Sequence, residues 1–316
     1  MKYFYVIPNW AKDPSGEAAN RIKEYLESKG CVCDVRVEHM GDVALEAGME
    51  HRGCCGCQVP RKTWAEASDR MEETKQVYKY TNPAEIPAAT QCVIVIGGDG
   101  TLIQATRDLV DLDLPFVGVN LGTLGYLAEL EIQNIHESLD ALIEDKYVVQ
   151  ERMMLSGTLI RDGNVLEENI ALNEVVVGRG CALNVIRFRV SVNDRFLNSY
   201  AADGVIIGTP TGSTGYNLSA GGPILEPDSS MILLTPISPH SMINRSIVLA
   251  DTAEVEIEMT RIGAGGALLA FDGSGSVAEL ADGDRLKIRK SEKKTKILTL
   301  SRESFLEILR NKMSGE

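Results

Sequence analysis

The stretch Cys92 to Thr106, CVIVIGGDGTLIQAT, limits the possible folds more than any other. Cys92 to Ile96 form an unbroken apolar, mostly β-branched run, as suits a strand buried on both faces of a parallel sheet. Gly97-Gly98-Asp99-Gly100-Thr101 then predicts a sharp turn, and the run from Leu102 an amphipathic helix. Glycine lets a phosphate approach backbone N–H groups, and a helix N-terminus adds a favourable dipole for anions. Phosphate is therefore the first ligand this turn suggests. A carboxylate beside phosphates has to be neutralised by a metal ion or accept a proton, unless Asp99 serves only as the N-cap of its own helix.

The elements around this stretch predict an α/β first half with a mainly parallel sheet, residues 1–150. Tyr3 to Ile7 reads as a strand, Ala18, Ile22, Tyr25 and Leu26 as one face of a helix ended by Gly30, and Cys31 to Val37 as a second strand. Residues 41–89 read as an insertion or lid with one helix, Trp64 to Tyr78. Phe116 to Val119 is a further strand, and Asn120-Leu121-Gly122-Thr123-Leu124-Gly125-Tyr126-Leu127 places glycines at its carboxyl end, the edge where open α/β sheets bind ligands. Ile135, Leu139, Leu142 and Ile143 share a helix face.

After Arg152 the period changes from helical to two. Ile186, Phe188, Val190 and Val192 alternate with polar residues, as do Val255, Ile257 and Met259, and Leu286 with Ile288. This predicts a β-rich, sandwich-like second half over 151–300, with a final helix at 301–316 packing back on the first half. Asn173 and Glu174 interrupt the apolar run Ala171 to Val177, and each needs a partner if buried. The loop from Asp203 through Pro223 is dense in glycine and hydroxyl residues and holds one tyrosine, a composition able to present backbone N–H groups to a nucleotide. His240 sits in a tight loop, Ser238-Pro239-His240-Ser241.

Charge and cysteine usage narrow the partners. With 45 acids against 32 bases the formal charge is −13, which argues against nucleic acid, and no Lys/Arg block suggests a membrane surface. No apolar run approaches the roughly 20 residues of a membrane span, and the first ten residues lack a signal-peptide pattern, so a cytoplasmic protein is expected. Among the 7 cysteines, Cys31-x-Cys33 and Cys54-Cys55-Gly56-Cys57 leave three readings open: a thiolate metal site at Cys31, Cys33, Cys54 and Cys57, a redox pair, or free thiols.

GGDGT resembles a superfamily that includes NAD kinases, diacylglycerol and sphingoid lipid kinases and, more distantly, phosphofructokinases. With NLGTLGYL, ERMML at Glu151 to Leu155, LNE at Leu172 to Glu174, the Asp203 to Pro223 stretch, SPHS, Asp272-Gly273 and the tail Phe305 to Lys312, the chain from Cys92 onward is similar to the NAD kinase family, motif by motif and in order. Lipid kinases share GGDGT and as a family lack the NE and TGSTxY elements. The resemblance implies γ-phosphoryl transfer from ATP, with Mg²⁺ or another divalent cation, to the 2′-hydroxyl of the adenosine ribose of NAD. It implies Asp99 as proton acceptor, Asp99 and Gly100 among the NAD contacts, and Gly97, Gly98, Gly100 and Thr101 around the phosphates. Asn173 and Glu174 would hold the ribose and diphosphate region, and Tyr126 would line the adenine side. Asp203, Thr214, Gly215, Tyr216, Asn217, Leu218 and Ser219 would complete the dinucleotide site, with His240 as a further contact and a homodimer or homotetramer as the assembly. Gly215 stands where the family usually has alanine, a harmless contraction, while Ala201 and Ser274 stand where it often has arginine and glutamine, departures that bear on phosphate contacts and cofactor preference rather than reaction class.

Overall fold

Helices cover both faces of the Cys92 to Ile96 run, which is why its apolar residues do not alternate with polar ones. The computed structural model describes residues 1–36, 81–122, 125–180, 184–240, 244–273, 277–300 and 304–314. Strands β1 (Tyr3–Pro8), β2 (Val32–Val35), β3 (Cys92–Ile96) and β4 (Pro115–Asn120) pair in parallel in the order β4-β3-β1-β2. On one face Phe4, Val6 and Ile94 meet Ala19, Ile22 and Leu26 of helix α1 (Glu17–Ser28) and Leu139 and Leu142 of a helix at Ile135–Ile143. On the other, Tyr5, Ile7, Val93 and Val95 meet Leu102, Ala105 and Leu109, the apolar side of helix α2 (Asp99–Asp108) and its end. The helix at Ile135–Ile143 is α3 below. The expected helix Trp64 to Tyr78 and most of the 41–89 insertion lie outside the described residues.

Strands β5 (Leu130–Glu131), β6 (Val148–Arg161), β7 (Asn164–Ala171), β8 (Glu174–Arg179), β9 (Ile186–Val192), β10 (Arg195–Ala202) and β11 (Gly204–Gly208) lead into a single helical turn, α4 (Tyr216–Ser219). Strands β12 (Met231–Ile237), β13 (Ile247–Ala250), β14 (Val255–Arg261), β15 (Ala267–Phe271), β16 (Val277–Leu280) and β17 (Arg285–Thr299) precede the last helix, α5 (Phe305–Ser314). A wholly antiparallel sheet, β13-β12-β11-β8-β15-β16, faces β9, β14, β6 and β17 across one core. Val175, Val205, Ile207, Leu234 and Phe271 from the first layer meet Phe188, Val190, Ile257, Leu286 and Ile288 from the second, the sandwich expected from period-two alternation.

The two halves share backbone hydrogen bonds. Strand β17 pairs with β14 through Arg285 to Ile288 and, after an irregularity between Lys290 and Lys294, lies parallel to β4 through Lys296 and Ile297. Its antiparallel partner β6 pairs with it on both sides of that irregularity, so the sheet, 11-stranded among the described residues, continues past residue 150. Helix α5 returns to the first half, where the Lys312 ammonium lies 4.4 Å from the centroid of the Tyr126 ring. Among the described residues no helix is long and apolar enough to cross a membrane.

Candidate active site

Asp99 is the first residue of α2, yet its side chain does not cap that helix. Its Oδ2 accepts from the backbone N–H of Tyr126 at 2.8 Å, and its Oδ1 from those of Leu127 at 3.2 Å and Ala128 at 3.0 Å. The carboxylate is thus held by the loop that leaves β4. A carboxylate offers about four lone-pair directions, two on each oxygen, so the described residues saturate Oδ1 and leave one direction of Oδ2 unused. Close approach demands Gly125, since a Cβ there would lie 1.9 Å from Oδ1.

The glycine turn is shaped from below by Thr101. A Cβ on Gly97 would lie 2.6 Å from the Thr101 hydroxyl, which is itself buried and accepts from Asn9 Nδ2 at 2.9 Å. Asn9 Oδ1 in turn accepts from the N–H groups of Ala11 and Lys12, and its own N–H donates to the Ile96 carbonyl. The loop after β1 is thereby fixed over the turn, and it carries the exposed Lys12 ammonium to 3.0 Å from where a Gly98 Cβ would stand. Gly100 is exposed, with open space beside it.

Across the cleft from α2, the run Ala171 to Val177 is not one strand. Strand β7 ends at Ala171 and β8 starts at Glu174 because the buried Asp272 carboxylate draws three successive N–H groups to itself: Leu172 at 2.7 Å, Asn173 at 2.7 Å and Glu174 at 3.0 Å. The turn lets Asn173 and Glu174 serve one place, which adjacent residues of an extended strand could not do. The loop 209–216 closes on this turn, and a Cβ on Gly212 would lie 2.2 Å from the Asn173 carbonyl oxygen. Gly215 borders both side chains, with 3.4 Å from its would-be Cβ to Glu174 Oε2 and 3.5 Å to Asn173 Nδ2. Among the described residues Asn173 Oδ1, Glu174 Oε2 and Thr211 Oγ1 are buried without a hydrogen-bond partner, the condition a bound polar ligand would relieve.

Burial, and then the charge of Asp272, push the Glu174 carboxyl up to about 8. The folded chain therefore keeps a proton that the unfolded chain releases near the usual carboxylate pH. Between those two values the native state binds more protons, so this group's contribution to stability falls as pH rises through the window. Glu174→Gln is expected to flatten that decline, which is at most about 1.4 kcal/mol per pH unit. Denaturant titrations of both proteins at several pH values between roughly 5 and 8 check this.

Residues 4–147 match the ATP-NAD kinase N-terminal domain, and residues 172–300 match the ATP-NAD kinase C-terminal domain. The NAD kinase of Lachnospira eligens is 41% identical over 327 aligned positions, which take in 99% of this chain and 100% of that protein. The chain belongs to the NAD kinase family. The NAD kinase of Lachnoclostridium phytofermentans is 43% identical over 321 positions and aligned along the full length of both chains. In fold the chain is similar to yeast NADH kinase complexed with NADH, with a TM-score of 0.75 and 22% identity over 100% of this chain and 88% of that one. It is also similar to an NAD kinase from Archaeoglobus fulgidus in complex with ATP, with a TM-score of 0.70 and 20% identity over the whole of both chains.

Not every residue named from the family motifs joins this cleft within one chain. Asp203 precedes β11 and pairs with Arg179 at 2.7 Å, at the end of the strand remote from Thr209 and the 211–219 loop. His240 is exposed at the same remote end, its N–H bonded to the Ala201 carbonyl. Asn217 is fully buried and its amide is spent internally: Nδ2 donates to the Ser213 and Pro223 carbonyls, and Oδ1 accepts from Thr235. Its place is therefore in holding the loop, while Tyr216, Leu218 and Ser219 are exposed and Thr214 and Gly215 half-buried. Thr101 likewise lies beneath the glycine turn rather than on its open side.

The cysteine readings divide. Cys31 and Cys33 are buried in the core of the first half, and burial pushes the Cys33 thiol up to about 12. Cys54 and Cys57 lie outside the described residues, as does Ser274. Among the described residues no group of three or more His, Cys, Asp or Glu side chains is placed to hold a metal ion. Sequence reasoning passed over Asn9, Lys12 and Arg107. The first two follow the carboxyl end of a parallel strand, a position that marks ligand loops in such sheets and could have drawn attention to them.

Proposed function

We propose that the chain phosphorylates the 2′-hydroxyl of the adenosine ribose of NAD with the γ-phosphoryl of ATP, giving NADP. The observation that carries this reading is the Asp99 carboxylate, held by three backbone N–H groups at the head of a glycine turn, with one lone pair of Oδ2 unused by the described residues. In this reading Oδ2 accepts the hydroxyl proton. A carboxylate is too weak a base to strip a ribose hydroxyl in advance, so the proton moves late, after the bond to the leaving phosphate has loosened. Gly97, Gly98 and Gly100 leave room for the ATP phosphates at the start of α2, and Lys12 places its positive charge over Gly98. Asn173 and Glu174 hold the NAD ribose and diphosphate region through the atoms that have no partner among the described residues, with Gly215 and Thr214 alongside. Tyr126 lines the adenine side.

A divalent cation, Mg²⁺ by preference, enters as part of the ATP complex. Magnesium in such reactions is bound mostly by substrate phosphates and water, so the chain itself would need to supply few ligands. The enzyme works in the cytoplasm as a homodimer or homotetramer.

Purified protein given ATP, Mg²⁺ and NAD is expected to produce NADP, read by coupling to an NADP-specific dehydrogenase. Phosphorylation of sphingosine or diacylglycerol in place of NAD would overturn the assignment.

A further inference from the structure

Helix α2 is anchored at both ends, and only the first anchor belongs to the chemistry above. Two turns after Asp99, Arg107 leaves the helix and crosses to the sandwich. Its Nη1 donates to the Phe271 carbonyl at 2.8 Å and its Nη2 to Asn169 Oδ1 at 3.1 Å, while Nε lies 3.6 Å from Asp272 Oδ2, an ion pair beyond hydrogen-bond length. The side chains of Arg107 and Asp272 are 7% and 1% exposed, so the pair is sealed from water and little screened by salt. Asp272 is the same carboxylate that bends Leu172, Asn173 and Glu174 into their turn. One guanidinium therefore ties the helix that carries Asp99 to the turn that carries Asn173 and Glu174.

We propose that Arg107, through Phe271, Asn169 and Asp272, is a positioning residue that sets the distance between Asp99 and the ribose held by Asn173 and Glu174. This rests on the NAD kinase reading. When the tie is cut the turn keeps the three N–H bonds to Asp272 and the bonds to Thr209, none of which Arg107 itself makes, so the wall formed by β8 and the 209–216 loop stays within the sandwich. Asp99, on the other side, stays docked on the loop after β4 but loses its fixed distance from that wall. Misplacement of a reacting group by about 1 Å costs on the order of 10²-fold in rate, so the effect falls on kcat and spares NAD binding.

The test uses the full chain and three substitutions. In Arg107→Met, kcat is expected to fall about 10- to 100-fold, while the NAD dissociation constant from equilibrium titration changes less than about three-fold. Arg107→Lys restores the charge beside Asp272 without the fork to Phe271 and Asn169, and is expected to recover part of the loss. Asn169→Ala removes one prong and is expected to lower kcat by a few-fold. A folded Arg107→Met with kcat within two-fold of the parent, or with NAD affinity lost in step with kcat, overturns the proposal. Should Arg107→Met not fold, Asn169→Ala decides alone, and an unchanged kcat refutes. The parent is assayed first: no NADP from it sinks the activity itself, whereas parental activity matched by the variants sinks only the positioning role.

Discussion

Asp99→Asn is expected to lower kcat by about 10²- to 10⁴-fold, the usual worth of a positioned proton acceptor, with NAD still bound. The substitution removes the base but also alters the loop contacts. One amide oxygen can keep the bonds from Leu127 and Ala128, whereas the new NH₂ group would face the Tyr126 N–H, donor against donor. A stability loss of about 1–3 kcal/mol therefore accompanies the kinetic one. Thermal unfolding measured beside turnover separates the two, since the kinetic loss should persist far below the unfolding transition.

Gly125→Ala is expected to produce a loss of comparable order without touching the carboxylate. The added Cβ would lie 1.9 Å from Asp99 Oδ1 and 2.6 Å from its Cγ, so either the side chain leaves its three donors or the loop recoils. In both cases the base is present and misplaced. A kcat reduced about 10²-fold, with the NAD dissociation constant within a few-fold of the parent, is the expected result. Equal activity in the two proteins would mean that the docked position of Asp99 is irrelevant to turnover.

The parts of this molecule that were readable in the sequence are those whose burial imposes a period. Cys92 to Ile96 had to be sandwiched by helices, and Ile186 to Val192 had to show one face to a core. Strand β17 was legible only at Leu286 and Ile288, because Lys290, Glu292, Lys293 and Lys294 break the alternation where the strand crosses between the halves. The site divides in the same way. Asp99 and its glycines announce themselves locally, while the grip of Tyr126, Leu127 and Ala128 on the carboxylate joins residues 27 to 29 positions apart through backbone atoms that any sequence supplies. The turn at Asn173 depends on Asp272, about 100 residues away, and so read as a strand. Asn217 looked like a ligand contact because a polar residue in a glycine-rich loop gives no sign, in sequence, of which carbonyls its amide will meet.

The most direct measurement is a crystal structure with NAD bound. The ribose 2′-oxygen is predicted within about 2.6–3.2 Å of Asp99 Oδ2, on the side left open by the Tyr126 N–H, while Oδ1 keeps the Leu127 and Ala128 bonds. A dinucleotide seated with that oxygen beyond reach of the carboxylate, and with Asp99 still docked on its loop, would contradict the mechanism.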